Sequence, residues 1–415
     1  MRKLTLLLTC CLAAHVLHAQ TIARFVVESG KYSRTNIPVS CEVTFPESDI
    51  LQLQEVKGTR HIPVAFQTGP HQISWLLDGI NKPGSQRIFE LIKIDPQKLA
   101  AVQQVKIPPA MLAIDSSGSL ILQDHRHHLL QYNYAVVNPP AGVDTIYRRS
   151  GFIHPLWSPN GQVLTNIHPK GHWHHVGIWN PWTHTEFEGK ETDFWNLQKK
   201  EGTVRFISFL SQTQGDIWCG FKALQNHIAK TVKEDVTNEK TALHEIWDIR
   251  AYNCGSDTTR RIWDFTSTLS CASSPISLLQ YRYGGGFGFR ATAEWNATNS
   301  KVLTSEGKTR INADSTRARW IKITGNKKAG ILVLCAPDNY DFPQPLRVWP
   351  ESSERGEIML NYSPTKMKPW DLEYGKEYRQ RYRIMVYEND ITAAEAENAW
   401  QAFAHPPVVK VTAVF

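Results

Sequence analysis

The sequence has few cysteines, and none of them stand close together after the N-terminal region. Seven cysteines occur in 415 residues, and Cys10 and Cys11 lie in the apolar N-terminal run. The other five cysteines are an odd number, and no two of them have Cys-x-x-Cys spacing. A zinc ribbon or a disulfide framework therefore does not fit this pattern, and we expect buried free thiols, although export would allow one or two bridges.

The chain also lacks a strong excess of charge and a second long apolar run. Its formal net charge is +7, and removal of residues 1–19 takes away Arg2, Lys3 and no acidic residue, which leaves +5. This mild charge predicts no nucleic-acid partner. Nothing after residue 19 approaches ~18 consecutive apolar residues, so we expect no transmembrane helix in the processed chain.

The first 19 residues have the layout of a secretory signal peptide. Arg2 and Lys3 precede an apolar stretch that ends near Ala19, and Gln20 would begin the mature protein. A lipoprotein signal at Cys10 is the competing interpretation, but the six residues between Lys3 and Cys10 are short for the apolar core of such a signal. We expect an exported protein, periplasmic or extracellular.

Strand patterns dominate the rest of the chain. Short β-branched and aromatic runs, such as 23–28, 39–45, 62–67, 73–77 and 88–94, predict a small N-terminal β-sandwich over residues 20–109. Longer amphipathic runs at 203–209, 217–224, 243–252, 261–270, 330–335 and 378–387 predict a larger antiparallel sandwich over residues 110–415. The sequence thus indicates an all-β, mainly antiparallel protein of two domains.

One helix is predicted near the C-terminus. Thr392 and Glu395 form a Thr-x-x-Glu capping box, and apolar residues recur at helical spacing up to Phe403. Pro406 and Pro407 prevent continuation, and we expect the apolar stripe of this helix to dock on a sheet.

A histidine-rich segment within residues 152–196 is the strongest functional signal. Six of the sixteen histidines lie between residues 154 and 184, namely His154, His168, His172, His174, His175 and His184. If residues 172–175 are extended, His172 and His174 point to one face and His175 to the other. His172 and His174 could ligate a divalent metal completed by His168, His154 or a carboxylate. They could instead transfer protons without a cofactor, or only hydrogen-bond around a polar cleft.

Indoles and carboxylates follow the histidines. Glu186 and Glu188 share a face if that stretch is extended, and paired carboxylates with stacking aromatic rings are typical of glycosidases. Solvated surface charges are the simpler interpretation of these carboxylates. The candidate catalytic carboxylates are Glu186, Glu188 and Asp193, and the candidate sugar-binding residues are His154, Trp179, Trp182, His184, Trp195 and Asn196.

A glycine-rich run, Gly284 to Phe289, is not followed by a helical pattern, so it is neither a dinucleotide fingerprint nor a phosphate loop. It predicts a bulge or a close approach of another segment. The flanking Tyr281, Arg282 and Arg290 are secondary site candidates. Two further groupings, Arg148 with Arg149 and Arg347 beside Trp349, could bind a uronate carboxylate or lie on the surface.

The line RRSGFIHPLWSPNGQVLTNIHPKGHWHHVGIWNPWTHTEFEGKETDFWN, with YRYGGGFGFRAT, LRVWP and AEAENAW, resembles the secreted bacterial family labelled methane-oxygenase-like, or PmoA-like. The resemblance extends from about Leu120 to Pro407. Members usually read Asp-His-x-His-His, so His172, His174 and His175 match, whereas Gly171 replaces the Asp. The resemblance implies a companion of polysaccharide-degrading systems, and the label itself would imply a histidine-ligated metal oxidoreductase.

The leading hypothesis is an enzyme that cleaves glycosidic bonds of a complex polysaccharide, as hydrolase or lyase. By fold-level analogy the larger sandwich would be galactose-mutarotase-like. His172, His174 or His175 would transfer protons, and Tyr281 or Arg282 would supply a lyase's base or carboxylate clamp. The alternatives are a non-catalytic sugar-binding protein, in which tryptophans bind the ligand, and a histidine-ligated metal oxidoreductase.

Overall fold

The computed structural model describes residues 20–94, 109–125, 127–233 and 236–413. The predicted signal peptide lies outside these residues, and so do residues 95–108 at the end of the predicted N-terminal sandwich. Within them nearly all regular structure is β-strand, and every strand pairing is antiparallel. The predicted all-β, mainly antiparallel class is confirmed.

The strands are numbered in chain order. They are β1 (Gln20–Glu28), β2 (Arg34–Glu42), β3 (Leu51–Lys57), β4 (Arg60–Val64), β5 (Phe66–Gly69), β6 (Gln72–Asn81), β7 (Gln86–Lys93), β8 (Met111–Ser116), β9 (Ser119–Asp124), β10 (His127–Asn133), β11 (Phe152–Leu156), β12 (Ile178–Trp179), β13 (Thr185–Phe187), β14 (Lys190–Thr192), β15 (Gly202–Thr213), β16 (Trp218–Lys233), β17 (Val236–Tyr252), β18 (Arg260–Cys271), β19 (Ile276–Leu278), β20 (Gly288–Arg290), β21 (Lys301–Thr304), β22 (Trp320–Thr324), β23 (Gly330–Cys335), β24 (Leu346–Val348), β25 (Met359–Tyr362), β26 (Trp370–Leu372), β27 (Glu377–Tyr387) and β28 (Val408–Ala413).

Two sheets form the N-terminal sandwich. A five-stranded sheet has the order β28-β1-β7-β3-β4, and a three-stranded sheet has the order β2-β6-β5. Phe25, Trp75 and Phe89 pack between them, with Trp75 5.5 Å from Phe25 and 5.4 Å from Phe89 between ring centroids. Because β28 pairs with β1, this sandwich takes its outer strand from the far end of the chain. The domain boundary at residue 109 stays a prediction.

Two eight-stranded sheets form the larger sandwich. One has the order β24-β25-β20-β12-β11-β10-β9-β8 and the other β15-β16-β17-β18-β27-β23-β22-β21. Alternate residues along β17 are buried, as its amphipathic pattern predicts, and a continuous apolar core fills the space between the sheets. A smaller sheet, β14-β13-β19-β26, packs with its own apolar cluster against one end of the long strands.

A single α-helix, α1 (Ala393–Ala404), is present among the described residues, together with three short 3₁₀ turns at Thr145–Tyr147, Leu197–Lys199 and Asn326–Lys328. Both hydrogen bonds of the predicted Thr392–Glu395 capping box are formed. The Trp400 indole donates a 2.9 Å hydrogen bond to the Cys335 carbonyl oxygen, which docks the helix on β23. This predicted helix is therefore confirmed.

The state of the cysteines and the length of the helices were also predicted from the sequence. All five cysteines in the described residues are free, and four of them are buried, as expected. Within the same ranges, no helix has the length and hydrophobicity that are needed to span a bilayer.

Candidate functional site

The histidine segment folds as consecutive tight turns, so the condition under which His172 and His174 would share one face of a strand is not met. The His172 amide donates to the Pro169 carbonyl at 2.9 Å, and the His175 amide donates to the His172 carbonyl at 2.9 Å. Gly171, at φ +83°, supplies a left-handed residue that this turn requires. Instead of pointing to opposite faces, the three imidazoles meet: ring centroids are 4.6 Å apart for His174 and His175, and 5.0 Å for His172 and His175.

Three indoles enclose these imidazoles. Trp195 stacks on His175 at a centroid distance of 5.6 Å, Trp179 lies 5.4 Å from His175, and Trp349 lies 4.8 Å from His172. Their exposed fractions are only 2%, 1% and 5%. The rings of Trp179 and Trp195 are therefore occupied in holding the histidines, which corrects the prediction that they stack on sugar rings.

Asp193 fixes the segment that carries Trp195. Its buried carboxylate accepts hydrogen bonds from the backbone amides of Trp195 and Asn196 at 2.9 and 2.8 Å, and from the Thr183 hydroxyl at 2.8 Å. The Asn196 side chain also donates to it at 2.8 Å. With these donors and an ion pair to Lys199 at 3.0 Å, Asp193 has a positioning role in the structure rather than the free carboxylate expected of an acid or base.

Tyr283 joins the histidine cluster to the surface, and the sequence predictions placed no role on it. Its hydroxyl accepts hydrogen bonds from the Trp349 indole at 3.0 Å and from the Arg347 guanidinium at 3.3 Å, and its ring lies 5.1 Å from Trp195. The exposed Arg282 guanidinium lies 5.3 Å from the same ring. The only sequence signal for Tyr283 was its position two residues after the candidate Tyr281.

The predicted residues Tyr281, Arg282 and His184 continue this surface away from the histidines. The Tyr281 ring lies 6.2 Å from Tyr283 and 5.6 Å from the His184 imidazole. His184 is oriented by a contact of 3.1 Å with the Gln280 carbonyl oxygen and lies 3.6 Å from Glu191. Tyr283, Tyr281 and His184 thus form a partly exposed aromatic strip, and we refer to it by that name.

Cationic side chains lie beneath and beside the cluster. The fully buried Arg290 guanidinium lies 4.8 Å from the Trp349 ring and forms an ion pair with Glu357. Arg347 and Lys366 share Asp314 at 3.1 and 3.2 Å. Arg282 adds a further positive charge, so cations outnumber carboxylates at this end of the aromatic strip.

Burial keeps the histidines neutral. It lowers the pKa of His174 to about 4, with neighbouring charges such as His172 and Arg149 acting in the same direction. It also lowers the pKa of His154, which contacts the Thr165 hydroxyl at 2.9 Å, to about 4. Burial also lowers the pKa of His175 well below its ordinary value. Near neutral pH these imidazoles are therefore uncharged, and the partly exposed His174 can accept a proton from a ligand.

Stability should therefore fall in acid. The unfolded chain takes up protons on His154 and His174 below pH ~6.5, whereas the folded protein resists them until about pH 4. One pKa unit is about 1.4 kcal/mol, so we expect a loss of roughly 2–4 kcal/mol in unfolding free energy between pH 6.5 and 4.5, allowing for solvent screening. Urea titrations across this range measure it. The His154→Gln/His174→Gln variant should show a shallower dependence, and an equal slope would contradict this origin.

Metal donors are sparse. His172 Nε2 lies 3.8 Å from Glu354 Oε1, and the His172 and His174 ring centroids are 6.0 Å apart. In the ranges that the structure describes, no three His, Cys, Asp or Glu side chains are grouped so as to hold a metal ion. A divalent metal at His172 and His174 stays a prediction.

The other sequence-predicted carboxylates lie outside the cluster. Glu186 is exposed on β13, and Glu188 lies in the following turn, where it contacts Lys240 at 2.6 Å and Ser274 at 3.0 Å. Nearby, Trp182 is 1% exposed and packs against Trp370 in the apolar cluster of the small sheet, so it offers no face to a sugar. The structure does not bring these three residues to the histidines.

The glycine run makes the close approach that was predicted. A Cβ on Gly285, whose φ is +70°, would run into the Trp182 ring, and a Cβ on Gly286 would meet the Tyr362 carbonyl. The run therefore allows the segment before β20 to pass against these groups. It lies in the backbone between Tyr283 and Arg290 and so helps to position both side chains.

A buried polar network lies behind the cluster, and the sequence predictions missed it. Glu245, 1% exposed, accepts hydrogen bonds from Asn180, from the Trp247 indole at 2.7 Å and from the Ser267 hydroxyl at 2.6 Å. His227 Nε2 lies 2.7 Å from its other oxygen. Burial alone would raise the pKa of Glu245, but the partners, His227 foremost, lower it overall. The sequence signal that could have found Glu245 is its inward-facing position in the alternating pattern of β17.

Comparison with solved structures finds a similar fold in a glycosyl hydrolase that is about twice as long as this chain. A glycosyl hydrolase family 38 protein from Enterococcus faecalis shares 10% identity at a TM-score of 0.50, over 94% of this chain and 47% of its own. An alpha-mannosidase from Enterococcus faecalis V583 gives 9% and 0.47, over 94% and 46%. A galactose mutarotase related enzyme from Lactobacillus acidophilus gives 8% and 0.32, over 68% and 99%.

The chain spans about half the length of the first two of these proteins, and at such identities the likeness concerns the fold alone. No curated protein matches the sequence. A family model described as "Family of unknown function (DUF6807)" matches residues 120–401, which is more than half of the chain and includes the histidine cluster. The chain therefore belongs to the DUF6807 family.

Proposed function

We propose that this chain is an exported carbohydrate-active enzyme that cleaves glycosidic bonds of an acidic poly- or oligosaccharide. The observation that carries the proposal is the group of neutral histidines at one end of a partly exposed aromatic strip with an excess of cations. The shared fold with a glycosyl hydrolase family 38 protein agrees with a carbohydrate ligand, although a fold does not determine a reaction. The PmoA-like resemblance adds no oxygenase chemistry to this proposal.

The accessible groups are the ones that would meet the substrate. His172 keeps 21% of its side chain exposed, and His174 and Tyr283 are partly exposed, whereas His175 is 1% exposed. His172 and His174 therefore face the ligand, and His175 supports them from behind. The aromatic strip would carry sugar rings, with Arg282 and Arg347 beside it to bind a carboxylate.

This arrangement favours a lyase over a hydrolase. Glycosidases of the usual kind place two carboxylates across the scissile bond, but Glu186 and Glu188 lie elsewhere and Asp193 is committed to backbone amides. A lyase needs a neutral base, a proton donor and a cation next to the uronate carboxylate. His174, the Tyr283 hydroxyl and Arg347 offer these three, and the Trp195 ring contacts both His174 and Tyr283.

In the reaction that we propose, His174 takes the proton from the carbon next to the uronate carboxylate. The electron pair of that C–H bond forms the new C=C bond, and the adjacent C–O bond to the leaving sugar breaks. The leaving oxygen takes the proton of the Tyr283 hydroxyl. Arg282 and Arg347 stabilise the charge that develops on the carboxylate.

Incubation of the purified protein with a panel of uronate-containing and neutral polysaccharides tests the proposal. We expect new reducing ends together with ultraviolet absorbance from an unsaturated uronide, on acidic substrates only. Reducing ends without absorbance would replace the lyase by a hydrolase. Retardation in polysaccharide gels without any product would instead favour the non-catalytic sugar-binding function.

A further inference from the structure

A second cationic feature lies next to the histidine cluster. It is an open groove of about 610 Å³ beside the start of β15, and its positively charged lining residues are Arg148, Arg149, Lys200, Arg205 and Lys230. Only Asp144 and Glu239 line it with negative charge.

The acidic residues do not neutralise the groove. Glu239 is shared by Arg205, at 3.0 and 3.1 Å, and by Lys230 at 3.6 Å. Arg148 and Lys200, both exposed, form no ion pair with any residue that the structure describes. A net positive charge therefore remains toward the solvent at this place, where it would attract an anion.

Arg149 closes the inner end of the groove. It is only 3% exposed, and its Nη1 donates a long 3.5 Å hydrogen bond to the Phe194 carbonyl, while its Nε has no partner in the described ranges. No carboxylate of those ranges lies within ion-pair distance of it. A buried guanidinium with free donors is stabilised by a bound anion, which accepts two parallel hydrogen bonds from it.

The groove and the histidine cluster share one wall. Leu197 lines the groove, and Trp195, two residues earlier, stacks on His175. The positive charge of Arg149 is close enough to contribute to the lowered pKa of His174. Arg149 thus lines the groove and also lies near His174, which brings the two features within reach of one extended sugar chain.

We infer that this groove binds a carboxylate or sulfate group on a neighbouring unit of the acidic sugar chain, through Arg148, Arg149 and Lys200. The inference rests on the proposed function for the identity of the ligand. It predicts a substrate that carries negative charge on more than one unit.

Binding measurements on the full-length mature protein test this inference. Isothermal titration at low salt would compare a uronate oligosaccharide, a sulfated oligosaccharide, a neutral oligosaccharide of equal length and inorganic sulfate. The test variant is Arg148→Gln/Lys200→Gln, which changes exposed residues and leaves the buried Arg149 in place. The matched control is Lys31→Gln/Lys82→Gln, which removes the same charge from exposed positions of the N-terminal sandwich.

We expect the test variant to bind the acidic oligosaccharides about tenfold more weakly, and the control to bind like the wild type. The oligosaccharide with the higher affinity identifies carboxylate or sulfate, and competition by inorganic sulfate would place the anion in the groove. Equal affinity of variant and wild type, or equal affinity for neutral sugar, would overturn the inference. Product formation by the test variant at the wild-type rate under saturating substrate would leave the proposed function intact. Binding of acidic oligosaccharides by the wild type without any product would contradict the proposed enzymatic function and leave the inference about the groove intact.

Discussion

Replacing His174 by alanine should lower the rate of product formation at least 100-fold, since a positioned acid or base contributes about 10²–10⁴-fold. The imidazole is partly exposed, neutral near pH 7 because burial lowers its pKa to about 4, and packed against Trp195. Ultraviolet absorbance in the assay with acidic polysaccharides measures the effect. Circular dichroism should show the fold unchanged.

His128→Ala is the matched control for this variant. His128 is an exposed histidine on β10, where it packs against Trp157 at a ring-centroid distance of 5.2 Å. We expect its rate to stay within about twofold of the wild type, as for most surface substitutions. Comparable rates for His174→Ala and His128→Ala would remove His174 from the mechanism.

Tyr283→Phe separates proton donation from packing. The phenyl ring keeps the contact with Trp195, but the hydroxyl that accepts hydrogen bonds from Arg347 and Trp349 is lost. In the proposed elimination this variant loses the donor for the leaving oxygen, so kcat should fall while KM changes little. A change in KM alone would make Tyr283 a binding residue.

The fold was predictable where strands are long and amphipathic. Residues 243–252 and 378–387, predicted from their patterns, lie within β17 and β27. β3, whose sequence LQLQEVK contains few β-branched residues, was missed, because its strand state depends on pairing with β7 and β4. The pairing of β28 with β1 joins the two ends of the chain, and no local pattern specifies such a contact.

The site was predictable in composition but not in geometry. The density of histidines indicated the segment, yet the turn depends on Pro169 and on the left-handed Gly171, which override an extended conformation. Tyr283 and Trp349 reach the histidines only because β24, β25, β20 and β12 are neighbours in one sheet. That order of strands is a long-range property, so the sequence predictions emphasised nearby residues such as Glu186 and Trp182.

The largest effect on stability is expected at Glu245. Removal of one partner of a buried pair leaves the other without compensation and costs about 3–5 kcal/mol. Glu245→Ala would leave His227, Ser267 and the Trp247 indole without their carboxylate at a position that is 1% exposed. Urea denaturation should therefore show a strongly lowered midpoint.

Glu239→Ala, on the same strand, is the matched control for Glu245→Ala. Its carboxylate is 37% exposed and pairs with Arg205 and Lys230, so its loss should cost less than about 1 kcal/mol. A similar cost for both variants would mean that the network around Glu245 adds little stability.

Because Asn180 connects Glu245 to Trp179, and Trp179 contacts His175, the destabilisation should extend to the histidine cluster. Hydrogen exchange of the Gly177–Asn180 amides would then increase in Glu245→Ala and stay unchanged in Glu239→Ala.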